Sequence, residues 1–412
     1  MSNTDNFFEQ AENHSKIKLV VLKKFFNSWK NKVFYNHFNT INNELIVIDG
    51  FAGPGEYKTG ENGSPLICLD SSFGALQQRK NINDINNKNM KISLYFCEKD
   101  KTKYECLCNI IKQRGLVLFK EKSSYQKYIN SGKNLEVGIS NKNFFDFFVA
   151  FTKKREKNYK YNPCFAFIDP FGYKDITLEN IINFMNSGNK TDIILNMIYE
   201  HFNRFLTVNN EELNKTHKKF LGATDEEFKI LQKQISNIDS HERMEIITNF
   251  YMNKIKENNF YITKMEIKKG NKIKMILFYI TKNLTGFNLF KEIKYNIETA
   301  LEDSQQQMHL FEAKKTSLSN ELENFLKKNY SPCFKFDKVL NDIKNHDIFF
   351  ERIYRQVIQN MRKNGKIETY INGKKDNRAI ENTEIRFIER NRHEQNKNRM
   401  DSSNMESDNR LF

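Results

Sequence analysis

Apolar residues along the first two thirds of the chain fall into short unbroken runs, separated by longer stretches with helical spacing. Residues 16–29 place Ile17, Val20, Val21 and Phe25 at helical intervals with basic residues between them. ELIVIDG, residues 44–50, reads as a buried strand meeting a turn, and Ser64-Pro65 reads as an N-cap followed by a first-turn proline. Strands are then predicted at 91–100, 116–120, 135–139, 164–169 and 192–198. Between them the spacing predicts helices through Lys112, from Asn143 toward Lys153 and from Thr177 to Met185, with an Asn-rich loop over 80–90. Continuous apolar strands alternating with amphipathic helices predict a parallel sheet covered on both faces, an α/β doubly wound, Rossmann-like fold.

Residues 203–258 read as a polar helical insertion over the sheet edge, and two strands around Gly270-Asn271 read as a hairpin. An α/β core finished by an antiparallel hairpin is the layout of class I methyltransferases. From Ser317 the pattern changes to three short helices and a β-ribbon, KIETYING, which predict a winged-helix-like α+β domain. The expected division is therefore a helical segment at 1–43, the α/β domain at 44–310, the winged-helix-like domain at 317–374 and a disordered tail at 375–412. No internal repeat is visible.

At 412 residues the chain exceeds one ordinary core, and 36 Phe with 17 Tyr supply the apolar area that a globular fold needs. Global disorder is excluded. With 66 Lys+Arg against 51 Asp+Glu, the net charge of +15 points to a polyanion, nucleic acid first, although a Lys- and Asn-rich composition can also reflect genome bias. The expected tail carries eight basic and eight acidic residues, so the surplus lies in 1–374. No apolar run approaches the roughly 20 residues that span a bilayer, and the N-terminus lacks a signal-peptide pattern; a soluble cytoplasmic protein with no membrane partner is expected. Six scattered cysteines read as buried reduced thiols, and the eight histidines show no metal spacing and no catalytic triad.

The sharpest motif is DGFAGPG, Asp49 to Gly55, directly after a buried strand. Glycines there let backbone approach a ligand at the carboxyl end of the strand, and an adenosyl cofactor fits, with Asp49, Gly50, Phe51, Gly53 and Gly55 as contacts. Glu98, ending the next strand, suits a ribose, although it lies 43 residues beyond Gly55 where about 20 is usual. A solvated Glu is the plain alternative. Asn143 is a candidate for the adenine amino group, with a helix N-cap as its rival role. FAFIDPFGY supplies Asp169 and the Pro170 carbonyl to accept from a substrate amine, and Phe171 or Tyr173 to stack a flipped base. The stretch 152–161, with Lys153, Lys154 and Arg155, and the residues Arg204, Arg352 and Arg355 are the candidate phosphate contacts; a solvated helix end is the competing reading.

Five blocks, HSKIKLVVLKKFFNSW, VIDGFAGPGEY with GSPL, FIDPFGY, ILNMIYEHFNRF and KMILFYITKNLTGF, taken in order resemble the bacterial three-Cys-motif partner family (TcmP). The name refers to a genomic neighbour, so the resemblance implies a partner protein encoded nearby and no particular reaction. VIDGFAGPG also resembles the cofactor motif of adenine-N6 DNA methyltransferases and related rRNA enzymes, which carry Asp-Pro-Pro-Tyr where this chain has Asp169-Pro170-Phe171-Gly172. DPFG itself is similar to the motif of tRNA guanine N2-dimethyltransferases. The resemblance implies S-adenosylmethionine at Asp49, Gly53, Gly55 and Glu98, and a target amine at 169–172. The expectation is a methyltransferase acting on an exocyclic base amine of DNA or RNA. Its rivals are an inactive adaptor that binds nucleic acid or the partner protein, and a metal nuclease using Asp49, Glu98 and Asp169.

Overall fold

A computed structural model describes residues 13–36, 44–57, 59–80, 90–199, 210–269, 272–305, 309–376 and 383–388. The chain divides into two compact units, Met1–Glu298 and Thr299–Phe412, so the boundary falls earlier than the 310–317 expected from composition.

The first unit opens with α1 (Asn13–Asn36), then β1 (Glu44–Asp49), α2 (Ser64–Lys80), β2 (Lys91–Cys97) and α3 (Lys101–Gln113). It continues with β3 (Val117–Lys122), β4 (Tyr125–Ile129), β5 (Leu135–Ser140), α4 (Phe144–Asn158), β6 (Cys164–Ile168), α5 (Leu178–Asn186) and β7 (Thr191–Met197). Three helices, α6 (Glu211–Leu221), α7 (Asp225–Ile235) and α8 (Ser240–Lys256), precede the hairpin of β8 (Tyr261–Lys269) and β9 (Lys272–Thr281), after which comes α9 (Leu284–Gln305).

These strands form one sheet in the order β3-β4-β5-β2-β1-β6-β7-β9-β8. The five central strands, β5 to β7 in that order, are parallel, while β9 and β8 close one side antiparallel and β3 with β4 the other. This is the Rossmann-like sheet of class I methyltransferase layout, with β4 as an addition that its polar sequence, YQKYI, does not announce. The chain steps from β1 outward to β2 and β5, then returns to the other side of β1 for β6 and β7. The order reverses beside β1, and the carboxyl ends of β1 and β6 are the switch point at which open α/β sheets bind ligands.

Both faces are covered because both faces of the parallel strands are apolar. Ile46, Ile48, Ala166, Ile168, Ile193 and Leu195 face a core shared with α4, α5 and the three helices of the 203–258 region. That region is therefore part of this face of the core. On the other face Phe25, Phe26 and Trp29 of α1 pack on Phe165, with ring centroids 5.3, 6.1 and 5.7 Å away. The first helix is thus part of the domain, and it is pinned by a buried network. Asp192 of β7 accepts from Trp29 Nε1 at 2.8 Å and from the Tyr279 and Thr281 hydroxyls at 2.6 Å each.

The second unit contains α10 (His309–Tyr330), β10 (Cys333–Lys335), α11 (Phe336–Asn345), α12 (Glu351–Lys363), β11 (Ile367–Ile371), β12 (Lys374–Lys375) and β13 (Glu384–Phe387). Its strands run β10-β13-β11-β12, all pairs antiparallel. Asn372 and Gly373 both take positive φ, 50° and 78°, as a two-residue hairpin turn requires. A tail disordered from residue 375 is corrected at β13: it pairs with two strands and its Ile385 is wholly buried. Apolar Ile385 and Phe387 alternate with charged neighbours there, a strand period hidden by the surrounding polar composition. Among the described residues, no helix is long and apolar enough to cross a membrane.

Candidate functional site at the carboxyl edge of the sheet

Asp49 is the last residue of β1 and pairs with Phe96 of β2 on one side and Phe167 of β6 on the other. Glu98 and Asp169 stand two residues beyond those partners, so the three carboxylates reach the same edge. Their placement is shown by contact as well as register. The Asp49 side chain is wholly buried, with Oδ1 accepting from Phe51 N at 3.1 Å. Its Oδ2 has no donor among the described residues. Burial pushes this carboxyl up to about 7; the nearby charges of Asp169 and Glu98 act in the same direction, while the neighbouring Ser64 hydroxyl and the Phe51 N–H act against it.

Beyond Asp49 the backbone turns sharply. Gly53, at φ +64°, donates its N–H to Glu98 Oε2 at 2.9 Å, and Gly55, at φ +98°, presents its carbonyl to Gly63 N at 2.7 Å. Glycine supplies this left-handed backbone without strain. Gly50 is needed for a different reason, since a Cβ there would lie 2.5 Å from the Phe144 ring. Phe51 stacks on that same ring at 4.8 Å. Glu98 also accepts from Asp100 N at 2.8 Å. Each of its oxygens therefore retains a second lone pair for a ligand hydroxyl.

Asp169 follows β6, and both its oxygens are engaged. Oδ2 accepts from Lys18 Nζ at 2.5 Å and Oδ1 from Asn196 Nδ2 at 2.7 Å. Burial alone would lower Lys18, but the charge and hydrogen bond of Asp169 outweigh it, so the ammonium is held above its ordinary value. Asn196 Oδ1 is the second buried acceptor of this edge with no donor among the described residues. Lys18 is the residue that sequence reasoning missed. It sits on α1, and nothing in a helix with basic residues at many positions separates it from its neighbours. Its neighbour Lys16 pairs with Glu61, which ties the same helix to the loop after Gly55.

Several expected roles are corrected. Asn143 is the N-cap of α4: its Oδ1 accepts from Asp146 N at 2.9 Å and its Nδ2 donates to Asp146 Oδ2 at 2.7 Å, so its amide is committed to the helix start. Asn141, two residues earlier, is the side chain that meets the Glu98 turn, donating to the carbonyls of Glu98 and Lys99. Tyr173 is buried, with its hydroxyl 2.6 Å from His217 Nε2 and its ring stacked on the imidazole, so it cannot stack a base. Burial pushes His217 down to about 4. Phe171, by contrast, is 77% exposed beside the buried Pro170.

The basic stretch 152–161 is at the wrong end. Helix α4 starts beside the carboxyl end of β5 and its 15 residues carry the chain back about 22 Å to the amino edge. There Arg155, wholly buried, donates to Ser187 Oγ and Thr191 Oγ1 at 3.1 and 2.8 Å and to the Lys190 carbonyl at 3.0 Å. It is a structural arginine. Arg155→Ala is expected to lower stability by roughly 3 kcal/mol or more, because it orphans several buried acceptors, and to leave nucleic-acid affinity unchanged; denaturant unfolding and strand titration check the two halves. Lys153 and Lys154 are exposed at that same edge, Lys154 lying over the Tyr95 and Tyr159 rings. Arg204 lies outside the described residues. In the second unit Arg352 is exposed, whereas Arg355 is paired with Glu351 at 2.7 Å and lies over Phe336. Among the described residues no group of three His, Cys, Asp or Glu side chains is placed to hold a metal ion.

The strand order defines a class I methyltransferase-type fold. No family model matches the chain. An uncharacterised protein of Plasmodium falciparum (isolate 3D7) is 25% identical over 326 residues, 69% of this chain and 19% of that protein. The chain thus spans about a fifth of the length of the curated relative it matches. Among solved structures, Trm1 from Pyrococcus horikoshii in complex with S-adenosyl-L-methionine overlays with a TM-score of 0.32 and 9% identity, over 66% of this chain and 58% of its own. A candidate class I S-adenosylmethionine-dependent methyltransferase from Listeria monocytogenes gives 0.26 and 9%, over 63% and 60%.

Proposed function

We propose that the chain is an S-adenosylmethionine-dependent methyltransferase acting on an exocyclic base amine of nucleic acid, and a member of the three-Cys-motif partner family on its five ordered blocks. One observation carries the reading: two buried acceptors, Asp49 Oδ2 and Asn196 Oδ1, have no donor among the described residues and belong to the switch-point edge. A buried acceptor without a donor is costly unless a ligand supplies one. The cofactor and the amine each bring N–H donors.

The residues fit the cofactor. Asp49 would take its ammonium, the turn from Phe51 to Gly55 would lie against it, and Glu98 would take the ribose hydroxyls. When bound, it supplies an electrophilic methyl group. On the substrate side Asp169 and Asn196 Oδ1 accept the hydrogens of the amine, which fixes the direction of its lone pair. Lys18 positions Asp169, and Phe171 offers a ring for the base. The second unit, read as a winged-helix-like module, would help to hold the polyanion.

Calorimetric titration of the full chain with S-adenosylmethionine tests this reading. Saturable binding is expected, and absence of heat in the native chain removes it. One observation favours a second reading, an adaptor that keeps the fold without the reaction: Lys18 and Asn196 already occupy both oxygens of Asp169. Each carboxylate oxygen accepts more than one donor, so occupancy alone does not close the site.

A further inference from the structure

With the 152–161 stretch at the amino edge, a strand whose base enters the site needs other partners for its phosphates. The carboxyl edge carries Lys99 and Lys101 after β2, Lys103 in the first turn of α3, Lys142 after β5 and Lys174 after β6. Two of these are answered by carboxylates: Lys101 lies 4.0 Å from Glu105 and Lys174 lies 3.6 Å from Glu212. The acidic side chains sharing the turns of the other three are engaged elsewhere. Asp100 caps α3 through Lys103 N, Asp146 accepts from Asn143, and Glu98 accepts from backbone. Among the described residues Lys99, Lys103 and Lys142 have no ion-pair partner.

The turns that carry these three follow β2 and β5, adjacent strands of the sheet, and so mark one arc of its carboxyl edge. Asn141 donates to the carbonyls of Glu98 and Lys99 at 2.9 and 3.0 Å, which ties the turn that carries Lys99 to the turn that carries Lys142. At the other end Lys103 Nζ lies 5.5 Å from the centroid of Phe171, the most exposed large apolar side chain among the described residues. Lys103 follows β2 and Phe171 follows β6, and β1 lies between those strands. The contact therefore spans the end of β1, where Asp49 and its glycine turn lie.

We propose that this arc is the path of a single nucleic-acid strand: Phe171 stacks a base, and Lys103, Lys99 and Lys142 take phosphates leading away from it. The proposal rests on the nucleic-acid reading of the site and assigns the backbone contacts which that reading leaves open. Rings flanked by cations bind single strands with little sequence preference. Each phosphate neutralised also releases counterions, which makes affinity fall steeply with salt.

The test is fluorescence titration of the full chain with a labelled single-stranded RNA and, in a second arm, DNA, across a salt series. Replacing Lys99, Lys103 and Lys142 together by Gln is expected to reduce the slope of log K against log salt by about 2, from roughly 0.7 per contact. Affinity should fall at least about tenfold, and Phe171→Ala should cost about fivefold or more. The pair Lys153→Gln and Lys157→Gln should leave both quantities native. A triple variant with native slope, an equal loss in the amino-edge pair, or a native chain that binds neither strand overturns the path. The cofactor titration separates this from the parent reading. Native heat without lysine-dependent strand binding removes the path alone; lysine-dependent binding without heat keeps the path and removes the methyltransferase.

Discussion

Replacing Asp169 by Ala is expected to cut methyl transfer to nucleic acid by at least about 100-fold while S-adenosylmethionine affinity stays close to native. In the proposed reading this carboxylate takes the substrate amine; it is held by Lys18 at 2.5 Å and Asn196 at 2.7 Å. Its loss frees both partners and leaves the amine with only one of its two acceptors, Asn196 Oδ1. Asp169→Asn keeps the shape but loses the charge opposite Lys18, and should fall between native and Ala. Radiolabel transfer and calorimetry on the same preparations check the split. If cofactor affinity collapsed with activity, Asp169 would belong to the cofactor cradle. If the native chain transferred nothing while Asp169→Ala bound strand or partner normally, the adaptor reading would stand.

The second large effect concerns pH. Burial raises Asp49 to about 7, and a cationic ammonium on Oδ2 needs the ionised form. Cofactor affinity should therefore fall about tenfold per unit as pH drops below about 7, as expected for coupled proton release. Asp49→Asn should bind weakly with no such slope. The apo chain should show the opposite sign. An acid raised from 3.8 to about 7 holds its proton more tightly folded than unfolded, so its contribution favours the fold at low pH and is lost as pH rises through that window. Calorimetric titrations at several pH values measure the first effect, and apo unfolding midpoints the second. A pH-independent affinity would mean that Asp49 is not the ammonium partner.

How much of this was legible in the sequence follows from which signals are local. The parallel strands were, because burial on both faces writes a continuous apolar run. β4 was not, since only Tyr128 of YQKYI is fully buried. The glycine turn and the three carboxylates were legible because strand ends are marked by Asp, Glu and Gly. Lys18 was not, because its role depends on how α1 lies against β6, a contact 151 residues apart in the chain. The basic stretch misled because charge is read without direction: a helix that leaves the carboxyl edge of a parallel strand delivers its last turns to the amino edge. Arg155 sits in that stretch yet is wholly buried. Tyr173 misled because a ring two residues after Phe171 reads as equally available, and only packing against the helix that carries His217 takes it away.

The proposed reaction is transfer of a methyl group to a base amine at the edge where Asp49, Glu98 and Asp169 meet. Its most direct measurement incubates the full chain with methyl-labelled S-adenosylmethionine and mixed DNA and RNA, digests the product to nucleosides and locates the label. Label on an exocyclic nitrogen, absent with Asp169→Ala, is the result expected. Nucleic acid without label, from a chain shown by unfolding to be folded, would contradict it.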